Sequence, residues 1–540
     1  MYKLIKKHQK KEVIFLFILV VVSAVLSFVP IKVVELLVND SVINNSETST
    51  ILMIGLGYIF IQLSFSAIKS ISDYLISRFQ ITVSSNIQKI LVDKVLKMDL
   101  KYLMQKKSSE IVNSLIDDIN VVSDKYLEAF KIKIWAVTSF TIGVVYIYSI
   151  NEVLALIIIP LGFITATLNW YTHKKFINIA QSKKEVSISL WKSFSEIFMG
   201  ILPIRIFKNE GEVKNSVKVE IQKLKEISTN QKKLESLNYF VASSLFMLSI
   251  GVILTVSSVM VSEGMILIGS MVAILMYNHM ITDPLIDILE TRQIKALVSV
   301  SIGKIKNILD TPDDENVNLK RGNVDKIILK NVQFGYNDKI MISNINLDIH
   351  SNEKIAIFGK TGSGKSTLVK VIAGLFNASR GDVLFFSNGK KVDFLPTISY
   401  LYQDFYLFDN SIIYNIKLAN PRIDDNDLND VIEKCQVDKI LEIHGNKNIG
   451  EGGSLLSGGE RARIRLAMTL VRTDASIYIF DELSSSLDSE TINIIFENII
   501  DFLSGRICIF VEHNDFIMKY VDRAIYLKDG EIIASNETII

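Results

Sequence analysis

Six stretches within the first 285 residues contain no Asp, Glu, Lys or Arg: 13–29, 51–68, 134–150, 153–172, 236–262 and 264–282. Each approaches or exceeds the roughly 20 residues that a helix needs to cross a bilayer, where the backbone must satisfy its own hydrogen bonds. Six membrane spans are therefore expected, at about 13–38, 51–77, 132–150, 153–172, 236–262 and 264–285. A signal peptide is rejected for the first. The basic start, with five lysines in residues 1–11, leads into a run that lacks a small-x-small cleavage site and continues past Pro30 and Lys32.

The connections set the orientation, since cytoplasmic segments carry an excess of Lys and Arg. Residues 39–50 have none, whereas 69–133 carry eleven and 171–235 carry thirteen. Both termini are expected in the cytoplasm. No glycine or proline falls between Gly57 and Gly143, so the membrane helices are expected to run well past the lipid. Asn278 and His279, polar groups inside the sixth stretch, stand as candidates for a transport pathway.

Residues 311–323 combine Pro, Gly and acidic side chains as a linker does, which bounds a membrane domain of 1–310 and a second domain of 324–540. The second half alternates short strand-like and helix-like runs, the pattern of an α/β domain. The expectation is an all-α six-helix transmembrane domain followed by an α/β phosphate-loop domain. The formal net charge of the 540-residue chain is +1, which gives no electrostatic reason to expect nucleic acid. Its two cysteines, Cys435 and Cys508, are too few for a disulfide framework or a cysteine metal site.

Chemistry enters with Gly359-Lys360-Thr361-Gly362-Ser363-Gly364-Lys365-Ser366-Thr367, between a strand-like run (354–358) and a helix-like one (368–375). Glycines let backbone N–H groups converge on phosphate oxygens, and the following helix aims its positive end at the same anion. Lys365 is expected to reach the β and γ phosphates of ATP, and the Ser366 hydroxyl to bind Mg²⁺. The apolar strand 477–480 ends in Asp481-Glu482, which suits Asp481 to Mg²⁺ and Glu482 to activating the attacking water. Between them, Leu456-Ser457-Gly458-Gly459-Glu460 reads as a capping box whose glycines expose amides that suit a second phosphate.

Phosphate loop, Leu-Ser-Gly-Gly signature and Asp-Glu strand, in that order behind six spans, resemble a half-transporter of the ATP-binding cassette (ABC) exporter family. The resemblance covers nearly the whole chain, with Glu460 where the family more often has glutamine. It implies that Tyr336 stacks on adenine, Gln403 touches Mg²⁺, and His513 contacts the γ-phosphate. It also implies that Ser486 and Asp488 lie in a dimer-contacting loop, with Ser486 where alanine is usual, and that 110–118 and 196–210 are coupling regions. ATP would sit between the phosphate loop of one domain and the signature of another, so a second half-transporter is implied, and a homodimer is favoured because Glu482, His513 and the signature are intact here. The implied function is ATP-driven export of a peptide, drug-like amphiphile or lipid across the cell membrane; the excess of lysine over arginine points to a bacterium, and the charge pattern of the connections to a cytoplasmic ATPase domain. The alternatives are an importer of the same architecture, as for metal chelates, and one half of a heterodimer. No cysteine precedes Cys435, so an N-terminal cysteine-protease domain is not expected.

Overall fold

The computed structural model describes residues 10–42, 47–105, 108–314, 316, 319–336, 339–403, 405–487, 489–513 and 515–537. They fall into two compact units. One comprises the chain up to Val95 together with Ser109–Asp310; the other comprises Leu96–Ser108 together with the chain from Thr311 onward.

The first unit is helical. Its long helices are Thr48–Val95, Tyr126–Ile150, Glu152–Met199, Glu210–Ser262 and Ile268–Asp310. A 48-residue helix such as Thr48–Val95 is about 70 Å long, twice what a bilayer core requires. Among the described residues, four stretches are long and apolar enough to cross a membrane: Glu12–Ser41, Thr48–Val95, Ile111–Ile150 and Glu210–Ser262. A shorter apolar segment covers Glu152–Thr167. The first expected span is two helices, Lys10–Leu26 and Val29–Val42, with the break just ahead of Pro30, whose ring favours a helix start. The last helix begins at Ile268, after a turn in which Gly264 takes φ +73°.

The unit is tied by buried polar contacts that its apolar stretches do not announce. Glu35 is 5% exposed and accepts hydrogen bonds from Lys32 (2.7 Å), Ser270 Oγ (2.8 Å) and the Tyr146 hydroxyl. Tyr146 in turn packs on Tyr277 at 4.1 Å between ring centroids. Asp118 is also buried, and accepts from Ser301 Oγ (2.8 Å) and Ser114 Oγ (3.1 Å). Asn278, also buried, donates to Ser249 Oγ (3.0 Å), whereas the exposed His279 lies 3.5 Å from Asp283 one turn along its own helix.

The first coupling region was expected at 110–118, but those residues run on as helix and π-helical turns through Ser114–Asp118. The interruption comes earlier. Asp99 starts the short helix Leu100–Gln105 by accepting from the Lys101 amide at 2.8 Å. In the 196–210 region the short helix Ile201–Phe207 is closed by Lys208 in a left-handed conformation.

In the second unit a six-stranded sheet runs in the order Glu531–Glu537, Arg523–Lys528, Lys354–Phe358, Ile507–Val511, Ile477–Asp481, Ile398–Leu401. All pairings are parallel except that of the two C-terminal strands. Parallel strands covered on both faces read as unbroken apolar runs, and Ile507–Val511 and Ile477–Asp481 are buried throughout. A four-stranded antiparallel sheet built on Lys326–Tyr336 and Lys339–His350 packs into one of the two cores.

Candidate functional site

Register decides which residues meet. Val511 pairs with Ile357 on one side and with Asp481 on the other, and Leu401 pairs with Phe480. Four parallel strands therefore end level, and the residues that follow them share the carboxyl edge where α/β sheets bind ligands. The strand-end residues are Gly359, Glu512-His513, Glu482 and Tyr402-Gln403.

The loop between Lys354–Phe358 and the helix Lys365–Ile372 is one that side chains would fill. Gly359, Gly362 and Gly364 have φ of +155°, +85° and +101°. A Cβ on Gly364 would lie 2.7 Å from the Met341 carbonyl oxygen, and one on Gly359 2.3 Å from that of Leu527. Lys365, 6% exposed, curls back so that Nζ donates to the carbonyls of Gly359 (2.8 Å) and Lys360 (3.3 Å). Burial lowers its pKa from the ordinary lysine value, against the pull of Glu482 and Asp481. Ser363 Oγ is buried with no hydrogen-bond partner. A cationic cradle closed to side chains, holding an unpartnered buried hydroxyl, fits a polyphosphate.

Asp481 is buried, bonded to the Ser366 side chain and, at 3.3 Å, to the Tyr400 hydroxyl. Burial raises its pKa above the usual carboxylate value. With the Gln403 amide nearby, the donors are all hard oxygens, as Mg²⁺ prefers. Glu482 has φ +57°, a strained conformation for a residue with a side chain. Its two oxygens are held from opposite partners, Gln403 Nε2 at 2.7 Å and His513 Nε2 at 3.2 Å.

Tyr336 ends its strand half-buried. It stands edge-on to Phe334 (5.2 Å, 88°) and to Phe376 (5.8 Å, 90°), and bonds the Thr367 side chain. At the signature, Ser457 caps the helix Gly458–Leu470 with a complete capping box: the Glu460 amide donates to Ser457 Oγ (3.2 Å), and the Ser457 amide to Glu460 Oε2 (2.7 Å). His444 lies 3.2 Å from the other oxygen of Glu460. Burial opposes ionisation there, but the bonds from Ser457 and His444 hold the Glu460 carboxyl below its usual pKa. Leu456 is buried beneath this turn. Ser486 ends a short 3-10 turn, Leu483–Ser486, and Asp488 lies outside the described residues.

Two contributors were not singled out from sequence. One is Tyr400, on Asp481. The other is Glu512, 1% exposed, which accepts from the Ser484 amide (3.0 Å) and hydroxyl (2.6 Å) and so fixes the turn that follows Glu482. An acid directly before His513 was the only signal. In the helical unit a cleft of about 390 Å³ is lined by Phe17, Tyr126, Phe130, Lys133, Ile294 and Lys295, among others.

The family model described as ABC transporter transmembrane region matches residues 13–285, and the one described as ABC transporter matches 342–485. The chain is 26% identical over 517 residues to the lactococcin-G-processing and transport ATP-binding protein LagD of Lactococcus lactis, spanning 92% of this chain and 72% of that protein. It is 32% identical to the alpha-hemolysin translocation ATP-binding protein HlyB of Escherichia coli, over 51% of this chain and 40% of the relative's length. A putative export ATP-binding/permease protein of Rickettsia felis is 26% identical over 99% of this chain and 95% of its own length. In fold, the chain matches a bacterial Atm1-family ABC exporter solved with ATP bound, with a TM-score of 0.81 at 15% identity, over 98% of this chain and 95% of that one.

Proposed function

The chain belongs to the ABC transporter family, and on that premise we propose that two copies of it form an exporter that uses ATP hydrolysis to move a peptide across the plasma membrane of a bacterium. The observation that carries the ATPase reading is the grouping of Gln403, Glu482 and His513 at the strand edge beside the phosphate loop. In this reading the loop amides, Lys365 and Thr367 hold the phosphates, and Tyr336 stacks on the adenine. Mg²⁺, held by Ser366, Asp481 and Gln403, would neutralise charge on the β and γ phosphates. Glu482 orients the attacking water and accepts its proton, while His513 holds the Glu482 carboxylate in place and donates toward the γ-phosphate. The signature amides of Gly458 and Gly459 complete the site on the second copy. Carrying every one of these parts in a single chain favours a homodimer.

Two observations support a peptide cargo. The relatives LagD and HlyB are a lactococcin G transporter and an alpha-hemolysin translocator by name, and LagD aligns over 92% of this chain. The cleft in the helical unit is apolar and aromatic with two lysines, a lining that suits an amphipathic chain. The excess of Lys and Arg in residues 69–133 and 171–235 supports a cytoplasmic location for both termini and the ATPase domain. The test is ATP-dependent accumulation of fluorescent peptides in inside-out proteoliposomes, beside lipid and drug-like amphiphiles. Uptake of amphiphiles but of no peptide would overturn the cargo reading.

A further inference from the structure

The segment Leu96–Ser108 follows the long helix Thr48–Val95 in sequence, yet it belongs to the same compact unit as the nucleotide-binding domain. Three anchors hold it there. The Asp314 amide donates to the Lys97 carbonyl at 2.8 Å. Met98, 3% exposed, forms a β-bridge with Asp313. Leu100 packs against the core that contains Phe334, Ile355 and Leu368. The next residue, Lys101, is thereby aimed at the strand end that carries Tyr336. Its Nζ donates to the Gly335 carbonyl at 3.2 Å and lies 5.4 Å from the centre of the Phe334 ring.

We propose that Lys101 is a positioning residue for ATP binding: it fixes Phe334-Gly335 and so sets the ring of Tyr336 for the adenine. The inference rests on the reading of Tyr336 given above. Gly335 lies against the backbone of the neighbouring strand, so closely that a Cβ there would meet the Lys339 carbonyl oxygen at 2.3 Å. Phe334 is the hub. It is 3% exposed, stacks on Phe376 (5.0 Å, 4°) and stands edge-on to Tyr336. A cation on this ring and a charged hydrogen bond to the adjoining carbonyl restrict the strand end on which Tyr336 is carried.

The test uses the full chain in lipid nanodiscs and displaces a fluorescent ribose-substituted ATP with ATP or with inorganic triphosphate, which has no base. Lys101→Met should weaken ATP about three- to tenfold, the loss of one charged hydrogen bond and one cation–ring contact, while triphosphate competes as in the wild type. Lys101→Arg should restore ATP binding to within about twofold, and the Lys101→Met/Tyr336→Ala pair should bind no more weakly than Tyr336→Ala alone. Should Lys101→Met yield no folded protein, Lys101→Gln carries the same test. Normal ATP binding by the Lys101 variant beside a loss in Tyr336→Ala overturns the inference and leaves the Tyr336 reading intact. Losses that multiply in the double variant, or equal losses for ATP and triphosphate, also overturn it. Normal ATP binding by Tyr336→Ala overturns the Tyr336 reading itself.

Discussion

His513 Nε2 lies 3.2 Å from Glu482 Oε1, across 31 positions of sequence. The contact follows from two neighbouring parallel strands whose ends are level, since Asp481 pairs with Val511 and the Glu482 amide donates to the Val511 carbonyl at 2.9 Å. A carboxylate held by a histidine on one oxygen and by Gln403 on the other is fixed in one orientation. His513→Ala should therefore lower kcat for ATP hydrolysis by about 10²-fold or more, with a much smaller change in ATP affinity. Steady-state hydrolysis beside equilibrium nucleotide binding separates the two.

The glycines of the phosphate loop should not be equivalent. Gly364→Ala combines a positive φ with a Cβ 2.7 Å from the Met341 carbonyl oxygen, and should destabilise the domain by about 1–3 kcal/mol. Gly362→Ala meets no neighbour and should lose only the backbone term, about 1 kcal/mol. Thermal unfolding with and without ATP measures both, and nucleotide-induced stabilisation should vanish in Gly364→Ala.

Burial disfavours the charged form of Asp481, so ionising it opposes folding. Its folded pKa is raised, hence the stability linked to it is present below the unfolded carboxylate range and is lost as pH rises through the folded value. Asp481→Asn should thus be more stable than the wild type at pH 7–8, with the gap closing toward pH 4, while hydrolysis falls by at least about 10²-fold. Thermal unfolding across that pH range, without nucleotide, tests the sign.

The sequence already contained the phosphate loop, the signature and the Asp-Glu strand, because each is a local pattern tied to a strand end or helix start. It also contained the two-domain order, because lipid forbids charge over a whole span. The contacts of Gln403 with Glu482, Glu512 with Ser484 and Tyr400 with Asp481 span 79, 28 and 81 positions, and only strand order and register bring them together. The placement of Leu96–Ser108 was missed for the same reason. The helix break at Asp99 has no glycine or proline to mark it, and a capping aspartate looks like any other acid in a basic connection.

In the helical unit, Glu35 is the acid that a count of charge-free stretches overlooks. It gathers Lys32, Tyr146 and Ser270 from three helices. Glu35→Ala should destabilise the unit by about 2–4 kcal/mol, and Glu35→Gln by less, because an amide keeps part of the network. Thermal unfolding in lipid nanodiscs ranks them, and equal stability of Glu35→Ala and the wild type would show the cluster to be idle.

The most direct measurement is Mg·ATP hydrolysis by this chain alone in lipid nanodiscs, wild type beside Glu482→Gln, with nucleotide binding followed in parallel. The wild type should turn over ATP, and the variant should bind ATP yet hydrolyse it at least about 10²-fold more slowly. Hydrolysis by Glu482→Gln at the wild-type rate would contradict the assignment of Glu482. A wild type that binds ATP but does not hydrolyse it would contradict the pairing of two identical chains.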